Sequence, residues 1–199
     1  MTKPLIIGIT GGIGGGKSTL ADKLRSEGFE VYDSDKEARI LQNEHPVIRE
    51  KLIELFGSNI YNDEGLNRKE LAQIVFHKSE LLLKLNAVVH PIVKVDFQNW
   101  IDKRQAHNLL FVESAILFES GFNLIVDKVI VITASEDIRI KRVVKRDGSS
   151  VDQVRLRIAN QLSEKIKVDN ADFVIYSDDN QPLDGKMRKI ITQLIEIVK

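Results

Sequence analysis

Residues Gly11 to Ser18 read Gly-Gly-Ile-Gly-Gly-Gly-Lys-Ser and fit the spacing G-x-x-x-x-G-K-[ST] with no deviation. The flanks constrain the fold further. Leu5 to Thr10 before it is a short apolar run rich in Ile, which reads as a buried strand. Ser18 to Glu27 after it reads as an amphipathic helix with Leu20, Ala21 and Leu24 on one side. A strand, a glycine loop and a helix start make a phosphate site. Glycine lets the backbone approach an anion without a Cβ in the way. The loop N–H groups then form a nest, and the helix adds the positive end of its dipole. The expected nucleotide-binding residues are Gly12, Ile13, Gly14, Gly15, Gly16, Lys17, Ser18 and Thr19. Lys17 supplies a point charge to the β/γ-phosphates, and the Ser18 hydroxyl suits magnesium, a hard cation that keeps most of its waters.

Composition narrows the partners. The 199 residues are enough for one domain, with 43% hydrophobic and 29% charged residues, an ordinary globular balance. Formal net charge is zero, so no global field favours nucleic acid or an anionic membrane. The absence of cysteine excludes disulfides, thiol nucleophiles and cysteine metal sites. No apolar run approaches the ~20 residues that span a bilayer. The N-terminal strand runs straight into the loop, so it is not a cleavable leader. The expectation is a cytoplasmic monomer acting on a small molecule.

Four more apolar runs read as strands: Glu30 to Tyr32, Leu109 to Val112, Lys128 to Ile132 and Phe173 to Tyr176. Apolar runs without alternation, separated by helical stretches, indicate a parallel sheet covered on both faces. Helices are expected over 34–43, 47–56, 68–76, 79–89, 91–104, 135–145, 150–161 and 183–198. Roughly seventy residues separate the second and third strands, too many for one crossover helix. They must form a helical lobe, with a turn or loop over 57–67 where Gly, Asn and Asp cluster. One domain, 1–199, is expected, with a core over about 1–43, 106–145 and 169–199, a lobe over about 44–105 and a lid over about 146–168.

Other residues narrow the chemistry. Asp33 and Asp35 stand at the end of the second strand, where open α/β sheets bind ligands. A carboxylate there can accept a proton from an attacking hydroxyl or hold magnesium through water. Ser34 or Asp35 can equally cap the helix that follows. Asp33 is the better catalytic candidate because it lies on the strand end. Glu113 closes the third strand, as an acid that orders magnesium or its waters would. Arg142 and Arg146 are four apart and share a helix face. Arginines there can neutralise the transferring phosphoryl group, and the Gly148-Ser149-Ser150 loop suits a lid that excludes water. A solvated basic face is the competing account of that run. His90-Pro91 reads as a structural histidine before a helix that starts at proline. Arg68 begins a lobe helix and on its own is a surface arginine.

Together these residues resemble the dephospho-coenzyme A kinase family nearly end to end. The resemblance is carried by Gly8 to Thr19, Asp33-Ser34-Asp35 with Ala38-Arg39, and Asn67-Arg68-Lys69-Glu70-Leu71-Ala72 with Val75-Phe76. It continues through His90-Pro91, Ile116-Leu117-Phe118-Glu119, Arg142, Arg146-Asp147, Gln161 and Ala171-Asp172. It implies an α/β P-loop fold: a five-stranded parallel sheet in the order 2-3-1-4-5, a helical substrate lobe and a lid. It implies transfer of the ATP γ-phosphoryl group to the ribose 3′-hydroxyl of dephospho-coenzyme A with Mg2+. Asp33 would be the base, and Lys17, Arg142 and Arg146 would stabilise charge. Ser18 would hold the metal. Arg39, Arg68 and His90 would face the acceptor, with Asp35 and Glu119 on the substrate side. Three positions depart from the family pattern: Ala115 for a proline, Arg139 for a glutamine and Ser177 for an asparagine.

A nucleoside monophosphate or shikimate kinase of the same fold shares the loop and the arginines. A GTPase switch does not fit, because no Asp-x-x-Gly occurs and Ile166 stands where a guanine motif needs Asn or Thr. A transport ATPase signature, Leu-Ser-Gly-Gly-Gln, is also lacking.

Overall fold

The computed structural model describes residues 3–75, 78–178 and 181–198. In chain order the elements begin with β1 Leu5–Thr10, α1 Lys17–Ser26, β2 Glu30–Asp33, α2 Ser34–Glu44 and α3 Pro46–Phe56. A short hairpin, β3 Tyr61–Asn62 and β4 Gly65–Leu66, precedes α4 Arg68–Val75 and α5 Ser79–Asp102. The chain continues through β5 Leu109–Glu113, β6 Lys128–Thr133, α6 Glu136–Asp147, α7 Val151–Ala159 and α8 Glu164–Asp169. It closes with β7 Phe173–Tyr176 and α9 Leu183–Ile197. The expected end of the α4 helix at Phe76 lies outside the described residues.

The chain divides into two compact units: Met1–Asp33 with Lys103–Lys199, and Ser34–Asp102. The first holds a parallel sheet in the order β2-β5-β1-β6-β7. Numbered among themselves, these five strands run 2-3-1-4-5, the order the resemblance implies. Every residue of β5 is buried, as an interior strand covered on both faces requires. One core face joins Ile7, Ile9, Phe111 and Ile132 of the sheet to Leu20 and Leu24 of α1 and Met187 and Leu194 of α9. This packing fixes the start of α1, and with it the phosphate loop, against the C-terminal end of β1.

The second unit is helical. Its long helix α5 runs through Pro91, where the sequence predicts two helices with a break at His90. An interior proline loses one helix hydrogen bond and costs about 3 kcal/mol. Against that, Leu85, Val89, Val93, Phe97 and Ile101 form one buried stripe at four-residue spacing on both sides of the proline. Packing of that stripe, with α2 and α3 laid on α5, outweighs the lost bond. Because α2 packs this way, it groups with the helical unit, although the sequence places the start of the lobe at residue 44. The 57–67 loop contains the β3–β4 hairpin, strands too short to show alternation in sequence. Among the described residues no helix is long and apolar enough to cross a membrane.

Candidate phosphate-transfer site

The sheet unit builds the loop first. Gly15 N–H donates to the Gly12 carbonyl at 3.0 Å, closing the turn that leads into α1. Gly14 has φ +80, and a Cβ there would strike the Arg139 carbonyl. Only glycine takes that conformation at no steric cost. The Lys17 ammonium donates to the Gly11 carbonyl at 2.7 Å and the Gly12 carbonyl at 3.3 Å. It thus lies back over its own loop.

Beside the loop, the strand register brings the acids together. Asp33 ends β2 and Glu113 ends β5, and the two are paired across the sheet. The Ser18 hydroxyl donates to Glu113 Oε1 at 3.1 Å. Glu113 is only 6% exposed. Burial raises its pKa, Asp33 raises it further, and the Ser18 hydrogen bond pulls the other way. A buried carboxylate pushed toward its neutral form is one whose ionised form a bound cation would favour. Ser18 and Glu113 are hard oxygen donors, and they fit magnesium held by few protein ligands and by phosphate. Among the described residues no cluster of three or more acids or histidines could hold a metal by itself.

Arg142 and Arg146, four residues apart on α6, both border a cavity beside the loop. A cavity of about 320 Å³ is lined by Gly14, Lys17, Ser18, Thr19, Arg142 and Arg146. A neighbouring cavity of about 350 Å³ is lined by Thr19, Ile132, Arg142, Tyr176, Ser177 and Gln181. Arg142 borders both. Its guanidinium donates to the Ser177 hydroxyl and carbonyl, each at 2.8 Å, and to the Gly14 carbonyl at 3.3 Å. The Ser177 hydroxyl in turn donates to the Gly15 carbonyl at 2.9 Å. Ser177, visible in the sequence only as a departure from a family pattern, therefore links Arg142 to the loop. Arg146 pairs with Asp147 at 2.7 Å, and Arg157 reaches the same carboxylate at 2.9 Å. These hydrogen bonds hold Asp147 below the usual carboxylate range and keep Arg146 charged.

Glu119, expected on the substrate side, has partners in the segment that follows α7. Its Oε1 accepts the Leu162 N–H at 2.8 Å and stands 3.7 Å from the Lys167 ammonium. These are structural partners, and a local motif gave no sign of them because they lie more than forty residues away in sequence. Gln161 accepts the Ile13 N–H at 2.9 Å. The expected single helix over 150–161 ends at Ala159, and α8 was not foreseen.

The helical unit carries the other candidates. Asp35 sits in the first turn of α2. Arg68 donates to the Arg39 carbonyl at 2.8 Å and to Gln42 Oε1 at 2.6 Å. Burial first, and the Arg39 charge second, press Arg68 below the usual guanidinium range. Two cations held this close favour an anion. His90 lies inside α5, its pKa lowered by burial and then by Lys94.

With this geometry in place, comparison with known proteins is specific. The family described as dephospho-CoA kinase matches residues 5–182. A dephospho-CoA kinase of Bacteroides fragilis strain YCH46 is 38% identical over 192 residues, 96% of this chain and 90% of that protein. One of Porphyromonas gingivalis strain W83 is 44% identical over 161 residues, 81% of this chain and 79% of that protein. The solved structure of the dephospho-CoA kinase from Campylobacter jejuni superposes with a TM-score of 0.66 at 28% identity. That match covers 97% of this chain and 96% of that one.

Proposed function

The chain belongs to the dephospho-CoA kinase family, and from that premise we propose how its residues carry out the final step of coenzyme A synthesis. The enzyme is a kinase with ATP as co-substrate and dephospho-coenzyme A as acceptor. The observation that carries the residue assignment is the register of Asp33 on Glu113 together with the Ser18–Glu113 hydrogen bond. It ties the strand end bearing the candidate base to the phosphate loop.

The loop N–H groups, the Lys17 ammonium and the start of α1 bind the ATP phosphates. Lys17 must leave the Gly11 and Gly12 carbonyls to do so, exchanging neutral acceptors for charged ones. Ser18 and Glu113 would hold Mg2+, which supplies charge neutralisation at the β- and γ-phosphates when bound. Asp33 accepts the proton of the ribose 3′-hydroxyl as its oxygen attacks the γ-phosphorus. The bond from that phosphorus to the bridging oxygen breaks, and ADP leaves with the electron pair. Arg142 and Arg146 stabilise the charge on the transferring group. Arg39 and Arg68 bind an anionic part of the acceptor, with Asp35 and His90 contributing from the same unit. The α7 segment after Gly148 serves as the lid that keeps water from the reaction.

The test is ADP release by the purified protein with ATP and magnesium, with and without dephospho-coenzyme A. Acceptor-dependent release and a new 3′-phosphate on the product are expected. ATP binding without turnover on that acceptor would overturn the substrate assignment.

A further inference from the structure

Behind the phosphate loop lies a buried polar layer that the transfer chemistry does not use. Arg139 of α6 is 3% exposed, and Lys167 of α8 is fully buried. Arg139 Nη1 stands 3.5 Å from Glu164 Oε1, and Glu164 Oε2 accepts the Thr133 hydroxyl at the end of β6. The Lys167 ammonium makes no hydrogen bond among the described residues and has only its 3.7 Å pairing with Glu119. The loop rests directly on this layer. A Cβ at Gly12 would overlap both Arg139 Nη1 and the Glu164 carboxylate.

Burying charge costs several kcal/mol per ion, and imperfect pairing does not return it. Such a layer is poor stabilisation but a stiff geometric reference. Its partners lie on β6, on α6 and at Glu119, and together they hold the segment from Gln161 to Lys167. From that held segment, Gln161 Oε1 accepts the Ile13 N–H at 2.9 Å. Ile13 is part of the phosphate loop, and this N–H therefore has an acceptor within the protein before any nucleotide arrives.

We propose that Gln161 is a positioning residue for the phosphate loop, and that residues 161–169 form its fixed back wall. The lid then ends before Gln161, short of residue 168. Gln161 acts through the loop backbone and touches no reacting atom. The inference rests on the kinase reading where it concerns ATP kinetics. Its direct readout is loop backbone exchange, which does not depend on turnover.

Three variants of the full-length protein test it: Gln161→Met, which keeps the reach but lacks the carbonyl acceptor, Gln161→Asn, which shortens it, and Gln161→Glu, which keeps an acceptor oxygen. Hydrogen exchange is followed at the loop in nucleotide-free protein. Steady-state kinetics are then measured against ATP and against acceptor. Gln161→Met should speed exchange at Ile13 and lower kcat/KM for ATP about three- to tenfold, the scale of one lost hydrogen bond. The KM for acceptor should stay within about twofold, and the melting midpoint within about 3 °C, as a localised change allows. Gln161→Asn should follow Gln161→Met, and Gln161→Glu should restore slow exchange. Unchanged exchange or unchanged ATP kinetics in Gln161→Met would overturn the proposal. So would a uniform loss in both substrates accompanied by a large fall in melting midpoint. If wild-type protein shows no acceptor-dependent turnover, the kinase reading fails and the exchange result still decides the role of Gln161.

Discussion

Asp33 stands on the last position of β2, opposite Glu113 and one strand from β1. Its carboxylate is the one we assign to proton transfer. Asp33→Asn keeps the shape and removes the base. ATP binding should persist in a fluorescent-nucleotide titration, while turnover falls by at least ~10²-fold, the usual scale of a positioned base. Near-normal turnover would remove Asp33 from that role. His90 gives a second residue-scale prediction. Its pKa is lowered in the fold by burial and by Lys94. The native state thus binds fewer protons than the unfolded chain between the lowered pKa and the ordinary value of about 6.5. Stability contributed by neutral His90 is full above that window and is lost as pH falls through it. His90→Gln should flatten that acid loss in urea unfolding followed from pH 8 to pH 5. Parallel curves for the two proteins would show that His90 is not the group responsible. At this scale the loop glycines, Lys17 and Ser18 were legible because one spacing carries them. Ser177 and Gln161 stood out only against a family pattern, and their hydrogen bonds to the loop were not legible, since each acts on a loop more than a hundred residues away.

Helix α5 shows how an element overrides its own sequence. Pro91 removes a backbone donor, yet the buried stripe on either side continues without a break. Pro91→Ala restores the donor. The gain of about 3 kcal/mol from an unbroken helix is offset by ~1 kcal/mol of regained unfolded-chain entropy. The melting midpoint should therefore rise, and a fall would mean that the helix needs the proline for its packing. Helix α7 is the opposite case, an element whose start is fixed by its own cap. The Ser150 hydroxyl accepts the Gln153 N–H, and the Gln153 side chain accepts the Ser150 N–H. Ser150→Ala should destabilise α7 by about 0.5–2 kcal/mol. Faster amide exchange in 151–159 would report it, and unchanged exchange would show that tertiary contacts alone hold the helix.

Across the whole molecule, the sheet unit depends on side chains packed on both faces of its parallel sheet. Phe111 is fully buried on the interior strand β5, between β2 and β1, with its ring set edge-on to Phe29 at 5.6 Å. Phe111→Ala leaves a cavity worth about 3–5 kcal/mol of unfolding free energy. The urea midpoint should fall accordingly, and a loss below ~1 kcal/mol would mean that the core closes over the gap. The five sheet strands were readable from sequence because each is an apolar run between helical segments, and a parallel sheet buried on both faces demands such runs. The strand ends were readable too, which placed Asp33 and Glu113. Sequence alone determined that this chain builds a phosphate loop at the end of a strand, with acids on two other strand ends and two arginines on one face of a following helix. Only the tertiary structure decided that Asp33 and Glu113 share one register, that Ser177 ties Arg142 to the loop, and that a buried ion layer lies behind Gly12. Local spacing encodes what one turn or one strand can do. Contacts between segments far apart in the chain depend on how the core packs, and no local pattern carries them.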